Sequence, residues 1–286
     1  ENVKGLTRAT FANYLQYTLL QLTFPELVID HKETWLEHLA RLEKEKTSGK
    51  MKGLTYDVVY RVVNAADYGI PQRRERVFIV GFRHDMEVRW SFPEQSHSHD
   101  ALLDSQHVSG EYWDKHKVSL KARPQMETKS IARVERLRAF SQNSLGRPWL
   151  TVRDALQGLP DPRNGKLSSR YYNHVFQGGA RVYKGHTGSP LDLPAKTLKA
   201  GDHGVPGGEN MLVTPSGEAR YFTVRESARL QTFPDTYIFH GSWTETMRQL
   251  GNAVPVALAR IMMGSVAEKL IEAETKKLIA EMKRVA

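Results

Sequence analysis

The sequence predicts an α/β fold, in which helices cover a sheet of largely buried strands. Two observations support this prediction. The chain opens with two segments of helical periodicity, and two strongly apolar segments follow them. At 286 residues, one or two domains are expected. The hydrophobic share of 40% and the charged share of 26% are typical of a globular protein.

Residues 8–22 form the first predicted helix, which ends near Pro25. Its apolar residues recur at helical spacing: Phe11, Tyr14, Leu15, Leu19 and Leu22. Residues 33–47 form the second helix, with one face towards solvent. The two strands are residues 56–63, which are β-branched and aromatic, and residues 76–82, which are of the buried type. Helices followed by apolar strands indicate an α/β layer.

Residues 91–222 are more polar and contain few long apolar periods, which predicts a second domain. Within it, Thr151 and Asp154 form a capping arrangement at the start of a short helix that ends at Gly158. Residues 201–208 contain four glycines and a proline, so they are predicted to form a loop.

After residue 222 the sequence predicts helices again. Thr223 with Glu226, and Ser242 with Glu245, have the spacing of capping boxes and therefore mark two helix starts. The second of these helices is predicted to stop at Gly251, as a left-handed terminator. Pro255 then opens a long amphipathic helix over residues 256–284.

The net charge of +9 is unevenly distributed. Between Lys115 and Lys199 there are 17 lysines and arginines against 5 aspartates and glutamates. Such a block suits a phosphate backbone, and a solvated basic surface is the alternative. The absence of cysteine excludes disulfides, cysteine-ligated zinc and a thiol nucleophile. No apolar run approaches about 18 residues and no basic-then-apolar leader is present, so neither a membrane span nor a signal peptide is expected.

Four short segments occur in a characteristic order from the N-terminus to the C-terminus. They are Glu1-Asn2-Val3, then Gln72-Arg73-Arg74-Glu75-Arg76, then Arg229-Leu230-Gln231-Thr232-Phe233-Pro234, and then Gln249-x-Gly251-Asn252-Ala253-Val254. Each alone has an ordinary interpretation, such as a chain end, a charged edge strand or a helix-to-helix turn. Together they resemble the later signature segments of the DNA cytosine carbon-5 methyltransferases. The resemblance covers nearly the whole chain and is looser between residues 91 and 222.

The resemblance implies the C-terminal part of a Rossmann-like, S-adenosylmethionine-dependent methyltransferase domain with a smaller, irregular, β-rich target-recognition domain. Residues 1–90 would belong to the catalytic domain and residues 91–222 to the target-recognition domain. Residues 223–250 would form hinge and ordering helices, and residues 251–286 a helix that returns to the catalytic domain. Family members flip a cytosine out of double-stranded DNA, add a thiolate at carbon 6 and transfer a methyl group to carbon 5.

Catalytic and cofactor roles follow from the same resemblance. Glu1 would bond the ring edge of the flipped cytosine, and Arg76 would hold its carbonyl oxygen near the thiolate, because a guanidinium is planar and permanently charged. Asn252, Ala253 and Val254 would line one wall of the S-adenosylmethionine pocket.

DNA contacts are predicted for two groups of residues. Gln72 and Arg74 share one face of an extended segment with Arg76, and the segment 194–198 with the following loop looks like a reader of the major groove. The predicted DNA-binding residues are Asn2, Gln72, Arg74, Thr197, Leu198, Lys199, Asp202 and His203. Arg229, Leu230 and Phe233 are expected to be structural. His97-Ser98-His99-Asp100 is interpreted as a surface loop, so no metal is predicted.

Two family segments are absent from the sequence: the Phe-x-Gly-x-Gly cofactor turn and the Pro-Cys nucleophile. The chain is therefore expected to act with an upstream piece, either a separate subunit or the front of the same polypeptide, and the initial glutamate favours the second. The alternative is a non-catalytic, sequence-specific DNA-binding module or specificity subunit. A soluble α/β protein unrelated to DNA is the third hypothesis. A cytoplasmic, prokaryote-like restriction-modification setting is expected, associated with the nucleoid through DNA.

Overall fold

The computed structural model describes residues 2–49, 53–139, 145–184, 186–200 and 210–285, with side chains from Lys4 to Arg284. Contacts divide the chain into two compact units. Unit 1 comprises Glu1–Val63, Glu75–Pro93 and Ile261–Ala286, and unit 2 comprises Asn64–Arg74 and Glu94–Arg260. The division into four functional parts at residues 90, 222 and 250 stays a prediction.

Unit 1 begins with two helices, α1 (Ala12–Thr23) and α2 (Trp35–Ser48). Thr34 and Glu37 form a capping box at the start of α2, and Gly49 ends it in the left-handed conformation with a φ of 66°. The helices share a core of Tyr17, Leu20, Phe24, Leu39 and Leu42.

The predicted apolar face of α1 is only partly correct. Leu15 is buried, but Phe11, Tyr14 and Leu22 are exposed. The buried side is set by Tyr17 and Leu20 because the Tyr17 hydroxyl lies 2.8 Å from His38 Nδ1 on α2.

The sheet of unit 1 contains β1 (Asn2–Val3), β2 (Tyr56–Asn64) and β3 (Glu75–Arg83), in the order β1-β3-β2. β1 runs antiparallel to β3 and places Val3 opposite Arg76. β3 buries Val77, Phe78 and Phe82, whereas β2 leaves Val59 and Tyr60 exposed. The α/β prediction is confirmed, and the expectation of largely buried strands is correct for β3 and wrong for the middle of β2.

Unit 2 contains short strands and mostly longer helices. β4 (His97–Ser98) pairs in parallel with β5 (Arg147–Pro148), and β6 (Ser189–Pro190), β7 (Met211–Val213) and β8 (Ala219–Tyr221) form a second small sheet. Its helices are α3 (His99–His107), α4 (Glu111–Lys115), α5 (Thr128–Ala139), α6 (Val152–Leu156), α7 (Gly165–Ser168), α8 (Val224–Leu230) and α9 (Trp243–Asn252). The region between residues 91 and 222 is irregular, as predicted. Its described strands have two or three residues and its helices are longer, so the expectation that it is β-rich is wrong.

The predicted helix caps of unit 2 are found in the structure. Thr151 with Asp154 caps α6, and Thr223 with Glu226 caps α8, both as complete capping boxes. Ser242 accepts the backbone N–H of Glu245, but the Glu245 carboxylate bonds Arg248 instead of completing the box. These caps fix where α6 and α8 begin, and both helices pack on one core formed by Val152, Ala195, Leu198, Leu212, Phe222 and Leu230.

The last helix, α10 (Val256–Val285), confirms the predicted long C-terminal helix. It starts in unit 2, and within unit 1 its Ser265 hydroxyl accepts the Trp90 indole N–H at 2.9 Å. Among the described residues, the helical stretch Trp243–Arg284 contains an 18-residue window of mean hydropathy 1.4, enough for a membrane span by length and composition. A single such helix is weak evidence for a membrane, because core helices of other proteins pass the same test.

Candidate functional site

Gln72 is fully buried, and its side chain links three segments of unit 2 by hydrogen bonds. It has no exposed surface, its side-chain oxygen accepts the Leu198 N–H at 3.0 Å, and its amide nitrogen donates to the Leu230 carbonyl at 3.3 Å. A buried amide is stable only when its donor and acceptor groups are used, and both have partners here. Gln72 therefore fixes residues 194–200, named the DNA-reading segment here, against α8.

Arg74 is buried as deeply as Gln72, with 1% of its surface exposed. Its guanidinium donates from Nη1 to the Leu198 carbonyl at 3.2 Å and from Nη2 to the Gly251 carbonyl at 2.9 Å. Gly251 lies in the last turn of α9, where the helix dipole is negative and a cation is favoured. One guanidinium thus joins the DNA-reading segment to the start of the predicted cofactor wall.

The DNA-reading segment lies along the turn that holds these two side chains. Ala195 forms a parallel bridge with Gln72, donates its N–H to the Pro71 carbonyl at 2.9 Å and accepts the Arg73 N–H at 2.8 Å. The Thr197 hydroxyl donates to the Arg73 carbonyl at 2.7 Å. Residues 195–197 therefore have one edge fixed by the backbone of residues 71–73.

Leu198 and Lys199 have different environments. Leu198 is buried in the core of unit 2, whereas the Lys199 side chain is exposed. The buried Asn210 holds the Lys199 backbone by accepting its N–H at 3.1 Å and donating to its carbonyl at 3.0 Å. Asp202 and His203 lie outside the described residues. For Gln72, Arg74, Thr197 and Leu198 the structure describes internal hydrogen bonds or burial, and their contact with DNA stays a prediction.

The prediction that Gly251 is left-handed is wrong. Gly251 is a helical residue of α9, which continues to Asn252 and is followed by Ala253 with a φ of −66°. A Cβ at position 251 would overlap the backbone of Lys199 and Ala200. Glycine is required here because the DNA-reading segment crosses the helix at backbone contact distance.

Asn252, Ala253 and Val254, the predicted cofactor wall, come directly after Gly251 in the sequence. Asn252 is exposed, and its side chain makes no hydrogen bond with the residues that the structure describes. Ala253 is held by its N–H to the Gln249 carbonyl at 3.0 Å, and Val254 is half-buried. The wall therefore presents an available amide on a fixed backbone, and its role in binding S-adenosylmethionine stays a prediction.

Gln231 supports this wall, a role that the sequence did not reveal although its motif was recognised. Its side-chain nitrogen donates to the Leu250 carbonyl at 2.6 Å and to the Ala253 carbonyl at 3.4 Å. Its backbone carbonyl accepts the Val256 N–H at 3.0 Å, which connects α8 to the start of α10. Asn210 was missed for a different reason, since nothing in its local sequence indicates a buried partner.

The segment 223–234 has the structural role predicted for it. Arg229 donates to the carbonyls of Ala155 and Gln157 at 3.3 and 2.7 Å, Leu230 is fully buried, and Phe233 packs on the core around Leu250. Burial lowers the pKa of the neighbouring Arg225, whose guanidinium donates to three backbone carbonyls: Tyr172, Pro234 and Tyr237.

Arg76 and the N-terminal residues belong to unit 1. Arg76 is half-buried on β3, and its Nη1 donates to the Glu75 carbonyl at 2.9 Å. Asn2 lies opposite Val77 in the sheet, and its side chain is outside the described part of the structure, as is all of Glu1. The catalytic roles of Glu1 and Arg76 and the DNA contact of Asn2 stay predictions.

Residues 97–100 do not form the predicted surface loop, because His97 and Ser98 lie in β4 and His99 and Asp100 begin α3. Ser98 caps α3 by accepting the Ala101 N–H at 3.0 Å, and Asp100 accepts a hydrogen bond from Arg133 that lowers its pKa. Burial lowers the pKa of His97 and of His99. Within the described ranges, no group of histidine, aspartate and glutamate side chains is arranged to hold a metal ion.

Comparison with known proteins gives consistent matches. The family model for C-5 cytosine-specific DNA methylase matches residues 35–268. Type II methyltransferase M.SacI from Streptomyces achromogenes is 29% identical over 264 residues, which are 83% of this chain and 58% of that protein. M.BspRI from Lysinibacillus sphaericus is 29% identical over 233 residues, which are 74% of this chain and 44% of that protein. The chain spans about half the length of these relatives.

Among solved structures, the S. pombe Dnmt2 methyltransferase aligns with a TM-score of 0.41 and 15% identity. The alignment covers 84% of this chain and 63% of that protein.

Proposed function

Because the chain belongs to the C-5 cytosine-specific DNA methylase family, we propose that it is the C-terminal part of a DNA cytosine-5 methyltransferase. The complete enzyme would transfer a methyl group from S-adenosylmethionine to carbon 5 of a flipped cytosine in double-stranded DNA. The main support is Arg74, which bonds both the predicted DNA-reading segment and the helix end that begins the predicted cofactor wall. This tie holds the two predicted binding elements in one unit.

The proposed roles follow the family pattern residue by residue. S-Adenosylmethionine supplies an activated methyl group when it is bound, and Asn252, Ala253 and Val254 would hold one side of it. The exposed amide of Asn252, which makes no hydrogen bond with other described residues, supports this assignment. Arg76 would bind the cytosine carbonyl oxygen, and Glu1 would hydrogen-bond the ring edge.

The nucleophile must come from polypeptide outside these 286 residues, because they contain no cysteine. We propose that this further polypeptide carries the Pro-Cys and Phe-x-Gly-x-Gly segments of the same enzyme. The chain spans about half the length of its relatives, which leaves room for such a piece. This further polypeptide is either a separate subunit or the front of the same polypeptide.

The surface of unit 1 supports the presence of this piece. Several large apolar side chains of α1, of the residue before it and of β2 are exposed: Phe11, Tyr14, Val59 and Tyr60. A groove of about 770 Å³ runs between α1, α2 and β2. Exposed apolar patches occur at surfaces that contact proteins, membranes or ligands, and we propose that the further polypeptide covers this one.

Complementation tests the proposal. The chain is mixed with an N-terminal methyltransferase fragment that carries the two missing segments, and methyl transfer from labelled S-adenosylmethionine to duplex DNA is followed. We expect no transfer by either part alone and transfer by the mixture. Arg76→Ala should abolish transfer, whereas Arg83→Ala, at the far end of β3 and paired there with Asp85, should retain it.

Two outcomes would contradict the proposal. Transfer by the chain alone would show that no external cysteine is needed. Duplex binding without transfer, whatever matched fragment is supplied, would favour the alternative of a non-catalytic DNA-binding module, which the basic block of residues 115–199 equally suits. The relatives are named Type II methyltransferases, so a restriction-modification role on cytoplasmic, nucleoid DNA is part of the proposal.

A further inference from the structure

A basic loop begins at the last residue of α4 in unit 2. Residues 115–123, named the basic loop here, contain four lysines and arginines, one histidine and no aspartate or glutamate. The loop borders a groove of about 810 Å³, whose other side includes Leu191 and Ser216. None of its residues belongs to the DNA-binding set that the family resemblance predicts.

The backbone of this loop contains a conformational anomaly at Lys117. The Val118 N–H donates to the Trp113 carbonyl at 2.9 Å, and the Lys117 N–H donates to the Asp114 carbonyl at 3.1 Å, which together form a Schellman motif after α4. Lys117 occupies the left-handed position with a φ of 53°. Glycine is preferred at this position because a Cβ is strained there, so lysine is a costly choice for the fold alone.

Some basic groups of the loop already have partners within the protein. Lys115 and His116 both contact Asp154, at 2.6 and 3.0 Å. Arg123 lies 5.7 Å from the centre of the Trp113 ring and 3.7 Å from Asp114. These three side chains therefore have protein partners that position them.

Lys117 and Lys121 differ from their neighbours. Both are exposed, and neither side-chain ammonium forms a hydrogen bond or an ion pair with any residue that the structure describes. Between them lies Leu120, with 78% of its surface exposed. Two ammonium groups without a described partner thus lie on either side of Leu120 in the sequence, and one of them belongs to a residue with left-handed backbone.

We propose that Lys117 and Lys121 bind phosphate groups of the duplex DNA backbone, with the basic loop as a clamp separate from the DNA-reading segment. The inference rests on the proposed function, which makes duplex DNA the polyanion that unit 2 meets. An ammonium is a point charge that suits a phosphate and carries no base specificity. The clamp would therefore strengthen binding to cognate and non-cognate DNA alike.

Lys117→Gly separates binding from folding. It removes the ammonium and relieves the strained backbone, so the unfolding midpoint should stay the same or rise. Fluorescence anisotropy with a labelled mixed-sequence duplex then measures affinity against salt concentration. Each lost phosphate contact should reduce the slope of log affinity against log salt by about 0.9. The ratio of wild-type to variant affinity should therefore fall about 3.5-fold between about 50 mM and about 200 mM salt.

Lys121→Ala should give the same change in slope, and the double variant a reduction of about 1.8. Lys44→Ala removes an exposed lysine from α2 of unit 1 and should leave the slope unchanged. Leu120→Ser should also leave it unchanged, because a phosphate clamp does not use an apolar side chain.

Three results would overturn the clamp. One is an unchanged salt slope in a Lys117→Gly variant that folds. Another is a reduced slope for Lys44→Ala equal to that of the loop variants. The third is lysine-dependent and Leu120-dependent binding to phosphatidylserine vesicles together with lysine-independent binding to DNA, which would assign the loop to a membrane surface. Methyl transfer by the complemented wild-type mixture is scored separately, so the clamp can fail while the proposed function stands, and the reverse.

Discussion

The two units differ in where they place their arginine side chains. Unit 2 buries charged groups and satisfies them internally, as with Arg74 and Arg225, whose guanidinium groups bond backbone carbonyls. Among its described residues unit 1 buries no arginine, and it has a groove that Tyr60 lines. Both units expose large apolar groups, such as Tyr14 in unit 1 and Tyr172 in unit 2. We infer that unit 2 is held together by its own polar contacts, and that the groove of unit 1 receives the proposed N-terminal piece.

The same contrast separates two arginines of one motif. Arg74 has its guanidinium inside unit 2, bound to two carbonyls, whereas Arg76 lies half-buried on a strand of unit 1. The motif therefore combines Arg74, which holds the fold, with Arg76, whose proposed role is to bind the cytosine. We infer that loss of Arg74 acts through stability and loss of Arg76 acts through chemistry.

The largest expected effect is that of Arg74→Met. It leaves the buried carbonyls of Leu198 and Gly251 without a donor, so the free energy of unfolding should fall by about 3 kcal/mol. Urea denaturation measures the loss, and hydrogen exchange should place it in unit 2. Arg73→Met at the exposed neighbouring position should change stability little. Equal losses in the two variants would refute the role given to the Arg74 guanidinium.

A pair of glycine substitutions gives the next largest effect, with opposite signs in the two units. Gly251→Ala places a methyl group against the backbone of Ala200 and should destabilise by about 2 kcal/mol. Gly264→Ala meets no atom within 4 Å on α10 and should stabilise by about 0.5 to 1 kcal/mol through helix propensity. Thermal unfolding of both variants checks the signs, and stabilisation by Gly251→Ala would disprove the close approach.

Local signals in the sequence predicted the elements that depend on local contacts. The caps at Thr151 and Thr223 involve partners three residues away, so their spacing alone reveals them. Arg74 is different, since its carbonyl partners are 124 and 177 positions along the chain. Local spacing indicates which face such a residue occupies and does not indicate whether that face meets ligand or core.

Gly251 illustrates the same limit. Its position near a helix end favoured a left-handed terminator, but the requirement for glycine comes from Lys199 and Ala200, which the fold brings against α9. The exposure of the middle of β2 could not be predicted from the local sequence either. A β-branched run predicts a buried strand, and the covering surface need not lie within the same segment of polypeptide.

Tyr60→Lys has the smallest expected effect on this chain and tests the incompleteness of unit 1. Tyr60 is exposed on β2, so the free energy of unfolding of the chain should change by less than about 0.5 kcal/mol. If the groove beside it receives the N-terminal fragment, assembly should weaken about tenfold, equivalent to about 1.4 kcal/mol, because buried aromatic residues dominate interfaces. Titration calorimetry with the fragment measures this change. Tyr172→Lys, at an exposed tyrosine of unit 2, is the matched control. Equal affinity of the Tyr60 variant and wild type would mean that the fragment binds elsewhere, and the contrast between the two units would then need another explanation.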